Sequence, residues 1–382
     1  MHCALIKMAG LYIHIPYCKS KCIYCDFYST PQVETMEQYV HSLLAEARLR
    51  ATEINGKKFS TIYIGGGTPS VVPINLLTTL ITSLESILDL SHVEEFTIEV
   101  NPDDVTPDYI KAIKQLGVNR VSMGVQSFND NELRAINRRH TARHAIDAVH
   151  VIKEAGIANV SIDLIYGLPG QSLDSWCRNV DQAITLNVQH ISAYCLSYEK
   201  GTRLWAMRKQ GRVQEASEEL CLEMYNSLTS MLKQARFEHY EISNFAINGY
   251  ISRHNSGYWN FTPYLGLGAA AHSFDGTTRR YNPSSIKQYV NVLSNNRTAF
   301  VTEQLEPQER HDEMVMLSLR TATGLDTIAL RQLYGDYACN NLLLKAQPFI
   351  KRGLLRREQN FLKLTHDGVM LSDNIISTLM WD

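Results

Sequence analysis

From Leu11 to about Tyr198, short apolar windows alternate with longer stretches of helical period, and that rhythm limits the fold more than any other feature of the chain. The strand windows are Leu11–Pro16, Thr61–Ile64, Phe96–Val100, Arg120–Val125, Val160–Ile165 and Ile191–Leu196. Between them lie amphipathic stretches: Met36–Leu49, Leu76–Leu88, Pro107–Leu116, Ala142–Ala155 and Leu173–Leu186. Two of these run into a glycine before the next strand, in Leu116-Gly117-Val118 and Ala155-Gly156-Ile157, where a left-handed residue can close a helix. Strands separated by helices return in the same direction, which builds a parallel sheet. The expectation is an α/β fold, a partial (β/α)6 TIM-like barrel over residues 1–200. In such barrels chemistry gathers at the C-terminal strand ends, and the unusual residues of this chain fall in the loops there.

Beyond Glu199 the rhythm stops. Ala216–Gln234 reads as a helix and Phe237–Phe274 as a mixed aromatic and Gly-rich segment, together a linking α/β region over 201–305. From Glu306, helical patterns at His311–Arg320 and Tyr337–Arg352 precede Gly353-Leu-Leu-Arg, a break at Gln359-Asn360 and Phe361-Leu-Lys-Leu, a small hairpin. Residues 306–382 are therefore expected to form a winged-helix-like domain. Many such folds bind DNA, but this segment has 9 Lys/Arg against 10 Asp/Glu, and the whole chain has a net charge of −2. Lacking a basic face, it reads as a packing or partner-docking module, and no nucleic-acid partner is expected.

Three of the eight cysteines crowd into one loop after the first strand, Tyr12-Ile-His-Ile-Pro-Tyr-Cys18-Lys-Ser-Lys-Cys22-Ile-Tyr-Cys25-Asp26-Phe27. Three thiolates so spaced can wrap one face of a four-iron cluster, because soft sulfur ligands suit iron–sulfur chemistry. With no fourth cysteine nearby, one iron stays open to an outside ligand. A zinc site completed by His14, or three buried free thiols, are the alternatives on spacing alone. A second loop, Ile64-Gly65-Gly66-Gly67-Thr68-Pro69, removes side chains where a ligand can reach the backbone. Acidic residues inside apolar strands, Glu99 and Asp163, call for partners, since buried carboxylates are costly alone.

Cys-x-x-x-Cys-x-x-Cys with an aromatic before the last cysteine resembles the radical-SAM signature. The surrounding Tyr-x-His-Ile-Pro-Tyr-Cys and Cys-x-Tyr-Cys-Asp-Phe resemble one branch, that of oxygen-independent coproporphyrinogen III oxidase and the HemW-type heme chaperones. The resemblance implies a 4Fe-4S cluster on Cys18, Cys22 and Cys25. It also implies S-adenosylmethionine (SAM) contacts at Tyr12, Tyr24, Gly66, Gly67, Thr68, Glu99, Gln126, Arg138 and Asp163. In the family the reduced cluster passes an electron to the sulfonium of SAM, so an electron donor is an expected partner.

Two features separate the branches. The oxidase has a further cysteine two positions after the third ligand, where this chain has Asp26-Phe27, and a longer segment before its first strand. Instead, His254-Asn-Ser-Gly-Tyr258-Trp259 resembles the His-Asn-x-x-Tyr-Trp pattern of the heme chaperones. The resemblance implies heme held by His254, Tyr258 and Trp259, and handed to an acceptor protein, without coproporphyrinogen dehydrogenase activity. The alternatives are the oxidase itself, or a radical enzyme of unrelated substrate in which the His-Asn motif is structural. No apolar run reaches membrane-spanning length and no secretion signal opens the chain, so a cytoplasmic location, not an integral membrane protein, is expected. Met8 offers a second start, and no role is assigned to the residues before it.

Overall fold

A computed structural model describes residues 7–53, 57–298 and 300–381; the N-terminal segment without an assigned role, residues 1–6, lies outside them. The barrel consists of β1 (Lys7–Ile15), β2 (Lys57–Gly66), β3 (Glu95–Val100), β4 (Arg120–Gln126), β5 (Asn159–Tyr166) and β6 (His190–Cys195), all parallel and in sequence order. Its helices are α1 (Met36–Arg50), α2 (Ile74–Ile87), α3 (Pro107–Gln115), α5 (Ala142–Glu154) and α6 (Leu173–Thr185), with a short α4 (Asp130–Ala135) between β4 and α5 that periodicity does not reveal. The two faces of each strand differ in kind. Leu11, Ile13 and Ile15 of β1, Val121, Met123 and Val125 of β4, and Val160, Ile162 and Leu164 of β5 are all buried in one apolar core with the helices. The alternate positions, among them His14, Arg120, Ser122, Ser161 and Ser192, are buried too but polar. Period-2 alternation thus gives a dry outer layer and a polar lumen.

A partial barrel leaves two open edges whose N–H and C=O groups need partners. The Phe237–Phe274 segment supplies them. After α7 (Arg203–Lys209) and α8 (Glu218–Gln234), the hairpin of β7 (Glu238–Glu241) and β8 (Asn244–Ala246) pairs antiparallel with β6. Then α9 (Arg253–Trp259) leads to β9 (Tyr264–Leu267), which joins β1 in parallel. Beyond β9 the sheet continues through β10 (His272–Phe274), β11 (Thr278–Tyr281) and, after α10 (Ile286–Leu293), β12 (Val301–Gln304), for twelve strands in all.

The C-terminal unit has its own apolar core, running from Val315 to Leu379. It contains α11 (Pro307–Leu319), β13 (Leu325–Asp326), α12 (Thr327–Lys351, broken at Gly335), the hairpin β14 (Leu355–Glu358) and β15 (Phe361–Leu364), α13 (His366–Val369) and α14 (Ser372–Leu379). This is the winged-helix-like form expected. Its hairpin turns on Gln359, at φ 52°, and Asn360. Among the described residues no helix is long and apolar enough to cross a membrane.

Candidate cofactor site at the barrel mouth

The cysteine loop is fastened on three sides. Thr30 donates to the Pro16 carbonyl at 2.9 Å and accepts from the Cys18 N–H at 3.1 Å. Ile23 donates to the Ile136 carbonyl and accepts from the Leu204 N–H, while its side chain joins a small buried cluster with Ile136, Ile165, Leu168, Leu196 and Leu204. Asn137 Nδ2 donates to the Lys21 carbonyl at 3.2 Å. Cys18, Cys22 and Cys25 therefore sit on one wall of a cavity of about 470 Å³ at the C-terminal strand ends. All three are free thiols. The Arg138 guanidinium donates to Cys22 Sγ at 3.4 Å. Thiols are the donor type that an iron–sulfur cluster takes, although among the described residues no three ligand side chains are drawn together closely enough to hold a metal ion.

His14 does not complete a zinc site. It is buried, its Nδ1 bonded to the Tyr12 hydroxyl at 2.9 Å and its Nε2 facing the Tyr28 carbonyl at 3.3 Å. Its ring also explains part of the glycine run. A Cβ on Gly66, which has φ +117°, would fall 2.7 Å from it, and one on Gly67 would fall 2.6 Å from the Tyr17 carbonyl oxygen. Only glycine lets the second loop pass so close beneath the first. The loop's N–H groups are already spent: Gly66 donates to Glu99 Oε2 at 3.0 Å, Gly67 to the Ile15 carbonyl and Thr68 to the Tyr17 carbonyl.

Gly66, Gly67, Thr68, Tyr24, Glu99, Gln126, Arg138 and Asp163 all line the same cavity as the cysteines. Tyr12 does not; its hydroxyl is held by His14, and its ring packs near Tyr63 and His254. Glu99 accepts from the Tyr63 hydroxyl at 2.8 Å as well as from Gly66. Burial pushes its carboxyl up to about 7, against the opposing pull of those hydrogen bonds. Asp163, bonded by Ser192 and Ser122, is raised to about 6, again by burial. Arg138 also reaches Asn101 Oδ1 at 3.0 Å and the Gly124 carbonyl. Gln126 ends β4 at φ +68°, beside a register shift against β5, a strained backbone for a residue with a side chain.

Arg120, which the sequence reading passed over, is the most informative addition. It is 1% exposed, lines the cavity, and its Nε and Nη1 have no hydrogen-bond partner. The signal was present: β4 reads Arg120-Val-Ser-Met-Gly-Val-Gln, polar or small at every second position. Its charge lowers the Glu99 and Asp163 carboxyls and depresses His190 and His254.

The His-Asn segment forms α9, whose first backbone donors are captured by a carboxylate from β3: the Arg253 and His254 N–H groups each reach Glu95 at 2.9 Å. His254 faces the barrel interior, stacked on Tyr63 at 5.1 Å. Its Nδ1 bonds to Thr61 Oγ1 at 2.8 Å and its Nε2 to the Tyr258 hydroxyl at 2.9 Å, so neither nitrogen stands free. Burial, aided by Arg120, pushes it down to about 3. Trp259 is not on that face; it lines a separate cavity. The structure thus joins His254 to Tyr258 and parts both from Trp259.

Comparison with known proteins agrees with this geometry. A model of the radical SAM superfamily matches residues 12–183, and one of the HemN C-terminal domain matches 305–371. The chain is 32% identical to the heme chaperone HemW of Bacillus subtilis, over 98% of this chain and 99% of that one. It is 33% identical to the HemW of Lactococcus lactis, over 99% of each. The mitochondrial radical S-adenosyl methionine domain-containing protein 1 of Bos taurus is 30% identical, over 98% of this chain and 88% of the relative. Among solved structures, the coproporphyrinogen III oxidase HemN of Escherichia coli shares the fold, with a TM-score of 0.85 over 98% of this chain and 90% of that one at 24% identity. With a cysteine-walled barrel mouth and relatives matched from end to end, the chain belongs to the radical-SAM family, in the branch of the HemW-type proteins.

Proposed function

We propose that this chain is a heme carrier, which binds heme and passes it to an acceptor protein, and which holds a 4Fe-4S cluster and SAM at the barrel mouth. The observation that carries the reading is the end-to-end likeness to chains named heme chaperone. Asp26-Phe27, where the oxidase has a cysteine, supports it. The cluster would rest on Cys18, Cys22 and Cys25. A bound cluster supplies one-electron chemistry, and the exposed Lys19, Lys21 and Phe27 put its loop within reach of an electron donor. Because the N–H groups of Gly66, Gly67 and Thr68 are used within the protein, the backbone of those residues has only carbonyl acceptors left to offer, which suits the ammonium group of SAM. Glu99, Asp163 and Arg138 would orient the rest of the ligand, and Gln126 would hold the strand end beside it.

Heme titration of the anaerobically reconstituted chain, followed by its Soret absorption, tests the reading, together with a coproporphyrinogen assay on the same preparation. Saturable heme binding without turnover supports a carrier. Conversion of coproporphyrinogen III to protoporphyrinogen IX without heme binding would establish the second reading, an oxidase, for which the shared fold speaks.

A further inference from the structure

Two cysteines outside the cluster loop meet at the mouth of the barrel. Cys195 ends β6 and lines the same cavity as Cys18, Cys22 and Cys25. Cys221 lies in the first turn of α8. Both are free thiols, Cys195 exposed and Cys221 half-buried. We propose that Cys195 and Cys221 are a redox-active dithiol, which a low-molecular-weight disulfide converts to an intrachain bond between β6 and α8. The proposal is independent of the heme-carrier reading, because it concerns thiols that neither the cluster nor the His-Asn motif uses.

The turn after β5 is where the two sulfurs converge. Gly167 follows β5 at φ +75°, and a Cβ there would fall 3.2 Å from Cys221 Sγ and 3.8 Å from Cys195 Sγ. Both sulfurs therefore lie within 4 Å of one point, and a residue without a side chain keeps that point empty. The thiols share a hydrogen bond in which Cys195 donates to Cys221, and the Tyr166 hydroxyl donates in turn to Cys195. Closing the bond brings the sulfurs to about 2.05 Å, a further approach that rotation of the two side chains and the start of α8 must supply.

The surroundings decide which sulfur reacts first. Burial raises both thiols, Cys195 up to about 12, and the hydrogen bond from Cys195 opposes that rise at Cys221. Glu215 and Glu218 push Cys221 up as well, while Arg208, ion-paired with Glu215, offsets part of that charge. Cys221 is thus the first of the two to ionise, and the thiolate is the attacking form. It attacks one sulfur of oxidised glutathione, forming a mixed disulfide and releasing one glutathione thiolate. Cys195 gives its proton to that leaving thiolate, attacks Cys221 Sγ and expels the second glutathione. One disulfide is reduced to two thiols, and two cysteines are oxidised to one disulfide, so two electrons pass from the chain to the reagent. With both thiols raised, exchange is slow at neutral pH and the dithiol is the resting form. The product clips α8 to the end of β6 and takes a thiol off the wall that faces the cluster cysteines.

The test is anaerobic equilibration of the full chain, carrying its cluster, with excess oxidised glutathione. The readouts are alkylation of the thiols left free and mass spectrometry of peptides prepared without reduction, with far-UV circular dichroism as the check on folding. Wild type should yield a linked Cys195–Cys221 peptide while its cluster absorption is kept, and reduced glutathione should undo the link. Cys195→Ser should stop the exchange at its first step and leave glutathione on Cys221. Cys221→Ser should form no link and take up glutathione at Cys195 about tenfold more slowly than Cys195→Ser does at Cys221. A pair that served packing alone would trap no glutathione in either variant. If both thiols of wild type stay open to alkylation, or Cys195→Ser carries no adduct, the pair is inert and the proposal falls. It falls equally if wild type keeps the adduct unresolved or links either cysteine to a different one.

Discussion

At the scale of single residues, the cysteine loop and the lumen acids carry the sharpest consequences. Anaerobic reconstitution should give about four irons per chain, as a four-iron cluster requires. Cys18→Ala, Cys22→Ala and Cys25→Ala should each abolish it by iron analysis and visible absorption, whereas changes at Cys177, Cys221 and Cys339, which lie outside that cavity, and at Cys195, which lines it from β6, should not. Glu99 gives a pH dependence of definite sign. Its carboxyl is raised from 4.5 to about 7 by burial, so the folded chain holds a proton that the unfolded chain releases. Stability is therefore fully present below the unfolded value, and is lost as pH rises from there through about 7. Thermal melts should fall across that window, and Glu99→Gln, which cannot titrate, should flatten it. Arg120 lowers the same carboxyl, so Arg120→Gln should move the window to higher pH. Melts of Glu99→Gln as steep in pH as wild type would reject this account. The cysteines and the lumen acids were legible in the sequence, because both break a pattern: thiols crowded in a loop, charges inside apolar strands. Arg120 was not, since its partners come from other strands and its isolation exists only once the barrel closes.

At the scale of elements, periodicity exposed β1 to β6 and five of their helices, because a buried parallel strand is nearly all apolar and an amphipathic helix repeats several times. The edge strands were hidden. β8 has only three residues and β9 four, too short for alternation to show, and they exist because the barrel edges need hydrogen-bond partners, a tertiary demand rather than a local one. The seating of α9 is likewise tertiary. Glu95, 4% exposed, takes the Arg253 and His254 N–H groups, so a strand carboxylate meets the positive end of a helix far along the chain. Glu95→Ala should leave two backbone donors unpaired, the His254 N–H buried and the Arg253 N–H half-buried, and cost about 1–3 kcal/mol by denaturant unfolding. It should also quench the hydrogen-exchange protection of α9 while that of β1 to β6 persists. Unchanged protection of α9 would mean that packing alone holds it.

At the scale of the whole molecule, two cores are joined by a backbone seam and by a few side-chain contacts, His366 on Tyr225 and Asn226, Val369 on the barrel core and Arg279 with Glu313. Ile242 donates to the Arg320 carbonyl and Ala322 to the Tyr240 carbonyl, both at 3.0 Å, and Glu241 bridges to Thr321, so β7 fastens the C-terminal unit to the barrel. The barrel core, from Ala9 to Leu293, contains none of the buried residues between Val315 and Leu379 that form the second core. A lesion in the second core should therefore loosen the C-terminal unit without dissolving the cysteine loop. Leu362, in β15, is fully buried and faces that core. Leu362→Ala should cost about 2–5 kcal/mol in the unfolding of the C-terminal unit, through lost burial and the cavity left behind. Because β7 also pairs with β8 and through it with β6, the barrel edge stays covered when the seam opens. The variant should still take up about four irons per chain at barrel-stable temperatures. A single cooperative melt, in which cluster absorption and C-terminal hydrogen exchange are lost together in both wild type and Leu362→Ala, would show instead that the seam couples the two cores into one folding unit.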